Sequence, residues 1–110
     1  MDFSIVTPVY NDPRIKSTIE SVQRQRTDLD VEHVVVDGMS TDETSDVIEE
    51  HKEEIDRLIR DDDDGVFDAM NTGIEATTGD VVGILNADDR YQDDFVLRDI
   101  HDRLRETGAD

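Results

Sequence analysis

In the stretch GILNADDRY, an apolar run over residues 81–85 stops on Asn86, Ala87, Asp88 and Asp89. Adjacent carboxylates at the end of an apolar strand repel each other and are costly to desolvate. A divalent cation such as Mg²⁺ takes one or two carboxylates and completes its shell with phosphate oxygens. The pair can therefore hold a diphosphate through a metal. In extended chain, residues two apart share a face. That makes Asn86 and Asp88 the useful N-x-D pair and turns Asp89 away, unless the strand has already turned. The competing reading is that Asp88 and Asp89 cap the next helix, whose first turn holds Asp93 and Asp94. The residues alone leave the two readings level.

Other candidates carry less. Residues 61–64 are four aspartates before Gly65, but Arg60 stands where a calcium loop needs its first acid and Asn71 where it needs its glutamate. A solvated acidic turn is the expectation there. His33, His51 and His101 share no metal spacing and are read as structural or surface residues. No G-x-G-x-x-G follows the first strand and no G-x-x-x-x-G-K-[ST] occurs, so a hydride-transfer or P-loop reading is poor.

The 110 residues carry 30 acidic against 11 basic side chains, a net charge of −19. Such a field repels nucleic acid and anionic membranes, so no nucleic-acid partner is expected. It also suits a halophilic setting, where salt screens the self-repulsion. Apolar residues make up 35% of the chain but fall in short periodic runs, which argues for a fold. Cysteine is absent, which excludes disulfides and thiolate metal sites. MDFSIVTPVYND does not read as a signal peptide, and no apolar run approaches the ~20 residues that span a bilayer. The expected location is the cytoplasm, with a complete protein at the inner membrane face.

The elements that must position these residues follow from periodicity. Residues 3–9 read as a strand and 14–26 as a helix with Ile15, Ile19 and Val22 inward, Pro13 in its first turn and Asp12 as cap. Residues 31–36 form a second strand ending at Asp37-Gly38. A second helix is capped by Ser40 or Thr41, with Asp42 and Glu43 in its first turn and Val47, Ile48, His51 and Ile55 inside. Leu58 and Ile59 mark a brief third strand. A third helix turns Phe67, Met70 and Ile74 inward and ends at Gly79. Residues 81–85 form a fourth, buried strand, and Phe95, Val96, Ile100 and Leu104 mark a last helix. This βαβαβαβα order predicts an α/β fold, a single domain over residues 1–110, with helices on both faces of a parallel sheet. Ligands of such sheets bind outside the carboxyl ends of the strands.

Those strand ends carry SIVTPVYND, VVVDGMSTDET, DGVFDAMNTGIEATTGD and GILNADDRY. In order and spacing they resemble the donor-binding half of family-2 glycosyltransferases with a GT-A fold, especially polysaccharide-assembly members. The resemblance implies a nucleoside-diphosphate sugar as donor and a sugar or glycan hydroxyl as acceptor. It places Thr7, Pro8 and Tyr10 in the nucleoside pocket and Asp37 on the base or ribose. Asp68, Asn71 and Asn86 fall near the nucleotide or sugar. Asn86-Ala87-Asp88 matches the family's D-x-D element, so Asp88, with Asp89 beside it, is the expected ligand of Mn²⁺ or Mg²⁺.

The chain departs from the family at Asn86, which replaces the first acid of that element. The resemblance also implies that the catalytic general base and the acceptor elements lie beyond Asp110. Donor binding is therefore expected of this chain, together with self-association through the face left open. A phospho-receiver domain is a second reading, weakened because strand one ends in TPVYND and both lysines, Lys16 and Lys52, lie on early helices. A non-catalytic binding module is a third.

Overall fold

A computed structural model of the protein describes residues 3–26, 29–60 and 66–106, without the side chains of residues 66–68. Its elements are β1 (Phe3–Val9), α1 (Ile15–Arg24), β2 (Val31–Asp37), α2 (Thr44–Glu50) with a 3₁₀ turn at Lys52–Glu54, β3 (Arg57–Arg60), α3 (Val66–Glu75), β4 (Val81–Ile84) and α4 (Val96–Glu106). Every strand pairing is parallel, in the order β3-β2-β1-β4. The α/β expectation therefore holds, and its layers can be read from alternation.

β1 and β2 are buried along their whole length because helices cover both faces. Val9 and Val35 pack with Ile15, Ile19 and Ile48 under α1 and α2. Phe3, Ile5 and Val31 share that face with Val22 and Leu97 of α4. The alternate residues Val6, Val34 and Val36 face Ala69 of α3 on the other side. At the amino edge, the buried Glu32 accepts hydrogen bonds from Ser4 Oγ at 2.8 Å and from Thr78 N at 3.0 Å. Gly79 follows because a Cβ there would lie 2.7 Å from the Ser4 backbone nitrogen.

Several helix faces differ from expectation. Ile74 is 43% exposed rather than inside, because Ala69, Gly73 and Ala76 are the residues of this segment turned to the sheet. The last helix is present as expected, and two of the residues that marked it, Phe95 and Ile100, are exposed. α4 is rotated so that Leu97 is its buried contact, with His101 and Leu104 half-buried on the same side. β4 ends at Ile84 and is an edge strand among the described residues, so Val82 and Ile84 face outward instead of being buried. α2 ends at Glu50, and Ile55 reaches the core as extended chain after the 3₁₀ turn. Its start is held by Asp42, whose Oδ1 accepts the Thr44 N–H at 2.8 Å, not by Ser40 or Thr41. The side chain of Phe67 lies outside the described residues.

Candidate functional site

The carboxyl ends of β1, β2 and β4 bring three loops to one rim. The β1 and β2 loops are joined by Asn11, whose backbone takes the left-handed φ of 49°. Its N–H donates to Ser40 Oγ at 3.0 Å, its Oδ1 accepts from Thr41 N at 2.7 Å, and its Nδ2 reaches Thr41 Oγ1 at 3.3 Å. Asparagine tolerates that conformation and bonds nearby backbone better than most residues. Asn11→Ala loses both properties and is expected to cost about 1–3 kcal/mol, with Asn11→Gly recovering only the conformational part. Chemical denaturation of the two variants checks this. Equal losses would mean that the φ value contributes little.

Asp37 closes β2 and is 1% exposed. Its Oδ1 accepts from Ser40 N at 3.0 Å and Ser40 Oγ at 2.6 Å, and its Oδ2 lies 3.7 Å from Arg60 Nε. Arg60 also reaches Glu49 Oε1 at 2.9 Å, so the carboxylate is fixed from two sides. Tyr10 stands over Gly38 and is 61% exposed, an open aromatic face at the same rim. Thr7 and Pro8 are buried. The Thr7 hydroxyl is 2.8 Å from His33 Nε2, inside the layer beneath α1, so its side chain faces the core. Asn71 is exposed on α3. The side chain of Asp68 and residues 61–64 lie outside the described residues. So does Asp110, beyond which the general base is expected, and no described residue is assigned that role.

The NADD segment is a turn rather than a strand continuation, with Asp89 N donating to Asn86 O at 3.0 Å. The alternation argument for Asn86 and Asp88 therefore does not apply, since the strand stops at Ile84. Instead Asp88 and Asp89 line the same cleft of about 180 Å³, together with Arg14, Ser17 and Arg90. Both acids are exposed, while the neighbouring Ala87 is buried and anchors the turn. The nearby Arg14 hydrogen-bonds Asp12 at 2.8 Å and holds that carboxyl below the ordinary carboxylate range. The Arg14 guanidinium is itself raised, by Asp12 first and then by Asp88 and Asp89.

No group of three or more ligand-type side chains converges among the described residues. Two exposed carboxylates with no third protein ligand fit a cation that takes the rest of its shell from phosphate and water, as Mg²⁺ does. They do not fit a closed structural metal site. Residues the sequence reading passed over are Asn11 as organiser of the rim, Ser40 and Arg60 as partners of Asp37, and Thr18, which touches the NADD turn. A signal existed for Asn11, in the preference of asparagine for left-handed turns. For Arg60 there was none, because it meets Asp37 only through the pairing of β2 with β3.

Open parallel α/β sheets bind ligands outside the carboxyl ends of their strands, and known structures share the fold of this chain. The chain is similar to S. aureus TarS 1-349 in complex with UDP-GlcNAc, with a TM-score of 0.84 and 26% identity over 96% of this chain and 32% of that one. It is also similar to the mannosyltransferase PcManGT of Pyrobaculum calidifontis, described in complex with GDP-Man and Mn²⁺, with a TM-score of 0.79 and 28% identity over 93% and 32% of the two chains. A PGL/p-HBAD biosynthesis glycosyltransferase of Mycobacterium bovis is 43% identical over 101 residues, 87% of this chain and 39% of that protein. The chain thus spans well under half of the relatives it matches. Glycosyl transferase family 2 matches residues 4–110, and the chain belongs to that family.

Proposed function

We propose that residues 1–110 form the donor-binding part of an inverting, metal-dependent glycosyltransferase that moves a sugar from a nucleoside diphosphate to an acceptor hydroxyl. The observation that carries this reading is the rim itself. Asp88 and Asp89 share one cleft at the end of β4, and Tyr10 and the fixed Asp37 end the two strands next in line. The relatives' names and the bound UDP-GlcNAc and GDP-Man of the two structures support it.

In this reading the exposed ring of Tyr10 stacks on the base, a contact any base accepts because each has a π-face. Asp37, a carboxyl acceptor held by Ser40 and Arg60, takes a hydrogen bond from the base or ribose. Asn71, Asn86 and Asp68 border the nucleotide or sugar. Asp88, with Asp89, holds Mn²⁺ or Mg²⁺. That ion supplies Lewis-acid stabilisation of the departing diphosphate. Arg14 and Arg90 flank the same cleft and add positive charge beside the diphosphate in a chain that is otherwise strongly anionic. The base that deprotonates the acceptor hydroxyl belongs, in this reading, to a segment beyond Asp110.

Calorimetry with UDP and with GDP, at high salt, tests the assignment. Wild type is expected to bind one of them only when Mn²⁺ or Mg²⁺ is present. Asp88→Ala is expected to weaken that binding by about tenfold or more, the loss of roughly one charge-assisted contact. Metal-dependent affinity that is the same in both proteins would remove Asp88 from the role.

A further inference from the structure

The inner surface of α1 has two stripes. Ile15, Ile19 and Val22 form the apolar one. Beside it, Thr18, Ser21 and Gln25 lie three and four residues apart on one face, and all three are buried although polar. Buried polar side chains must be hydrogen-bonded to be tolerated, and every one of these reaches across to the segment between β4 and α4.

The Thr18 hydroxyl lies among the carbonyl oxygens of Asn86, Ala87 and Asp89, 3.0 Å from that of Ala87 and closer still to that of Asp89. Ser21 Oγ donates to Thr18 O at 3.1 Å and accepts the Tyr91 N–H at 3.2 Å. Gln25 donates through Nε2 to Asp93 O, and its Oε1 accepts the Leu97 N–H at 3.0 Å, at the first turn of α4. One helix stripe therefore holds the backbone of residues 86–97 at successive points. The turn that presents Asp88 and Asp89 has no regular element of its own, and Thr18 is its nearest anchor.

We propose that Thr18 is a positioning residue for the Asp88–Asp89 turn, and that Ser21 and Gln25 extend the same latch along the segment to α4. This rests on the donor-binding reading above. Two exposed carboxylates complete a cation's shell only if their spacing is set beforehand. The backbone sets it, through a hydroxyl proton shared among converging carbonyls. Thr18→Val keeps the shape and puts a methyl group against those oxygens, which takes the hydroxyl donor from the buried Ala87 carbonyl and from that of Asp89, while Asn86 O keeps the Asp89 N–H. The turn then moves, and the carboxylates move with it.

The test compares wild type, Thr18→Val and Thr18→Ser as full chains at high salt. Three readouts are taken: Mn²⁺-dependent binding of UDP and of GDP, thermal midpoint, and backbone amide exchange at Asp89, Tyr91 and Leu97. Thr18→Val is expected to weaken binding roughly tenfold, as for loss of one buried hydrogen bond. It should also speed exchange at Asp89 and Tyr91 while leaving Leu97, held by Gln25, unchanged. Thr18→Ser keeps the hydroxyl and should restore both. Wild-type affinity in Thr18→Val, with Asp89 exchange unaltered, overturns the proposal and leaves donor binding intact. A loss that tracks the thermal midpoint and is not rescued by serine also overturns it, since that is a structural role only. Absence of metal-dependent binding in wild type removes the donor reading instead, and exchange at Asp89 then decides the latch alone. If Thr18→Val does not fold, Ser21→Ala is read the same way at Tyr91, and unchanged exchange and binding there overturn the latch.

Discussion

Gly73→Ala is expected to destabilise the protein by about 2 kcal/mol, although alanine is the better helix former by about 1 kcal/mol. Gly73 lies inside α3, where glycine has no local justification. A Cβ there would lie 2.3 Å from Val6 Cγ1 and 3.2 Å from Val36 Cγ2. Val6 and Val36 are fully buried in the two central strands, so neither can rotate or retreat without moving the sheet. Overpacking of this kind costs about 1–3 kcal/mol. In a domain of this size that corresponds to a fall of roughly 10 °C in the thermal midpoint. Melting at high salt measures it, and a midpoint at or above wild type would show that α3 does not approach the sheet this closely. Gly73→Ala combined with Val6→Ala should lose less than the two single changes added together, because the second opens the space the first needs. Asn71 stands on the same helix, so the spacing fixed at Gly73 also fixes how far that residue lies from the sheet.

That glycine explains why the face of α3 was illegible. A reader looking for an apolar stripe chooses Phe67, Met70 and Ile74, the large residues at helical spacing. Close approach to the sheet instead selects the smallest residues, Ala69, Gly73 and Ala76, and Ile74 is left at the surface. The signal in the sequence was absence of bulk, which periodicity of hydrophobicity does not register. α1 erred in the other direction. Its apolar stripe was read correctly, but Thr18, Ser21 and Gln25 carried no signal of an inward face, because their burial depends on a segment about seventy residues downstream.

The central strands were legible for a physical reason. β1 and β2 are covered on both faces, so they read as near-continuous apolar runs with turn residues at their ends. The rule that ligands gather at the carboxyl ends then directed attention to Asp37 and to residues 86–89 without any structure. What it could not give was which side chains turn outward. Thr7 lies close to the rim yet faces inward to His33, and Asp89 faces the cleft because the chain turns after Ile84. Both outcomes depend on where β1 and β4 stop, and a strand's end is set by its neighbours as much as by its own residues.

His33 makes the stability of the whole domain depend on pH. Its ring is fully buried between the sheet and α1, with Nε2 bonded to Thr7 and Nδ1 without a partner among the described residues. Burial pushes its pKa down to about 3, the Arg26 charge pushes the same way, and Asp56 opposes both. Asp56 also accepts the His33 backbone N–H at 2.7 Å and pairs with Arg26. The unfolded chain takes up a proton near pH 6.5 and the folded one only near pH 3, so the unfolded state binds more protons throughout that window. Stability is then complete above about pH 6.5 and falls as the pH drops toward 3. The expected loss is about 2 kcal/mol by pH 5, at about 1.4 kcal/mol per unit below the unfolded pKa. Asp12 and Asp56, whose pKa values are lowered, lose their contribution in the same direction but only within and below the ordinary carboxylate range, so they do not enter above about pH 5. Unfolding free energy measured at high salt between about pH 7.5 and 5 isolates the histidine. Wild type should show a steep decline and His33→Gln, though less stable at neutral pH, a nearly flat line. Parallel lines would mean that the buried ring is not the group that titrates.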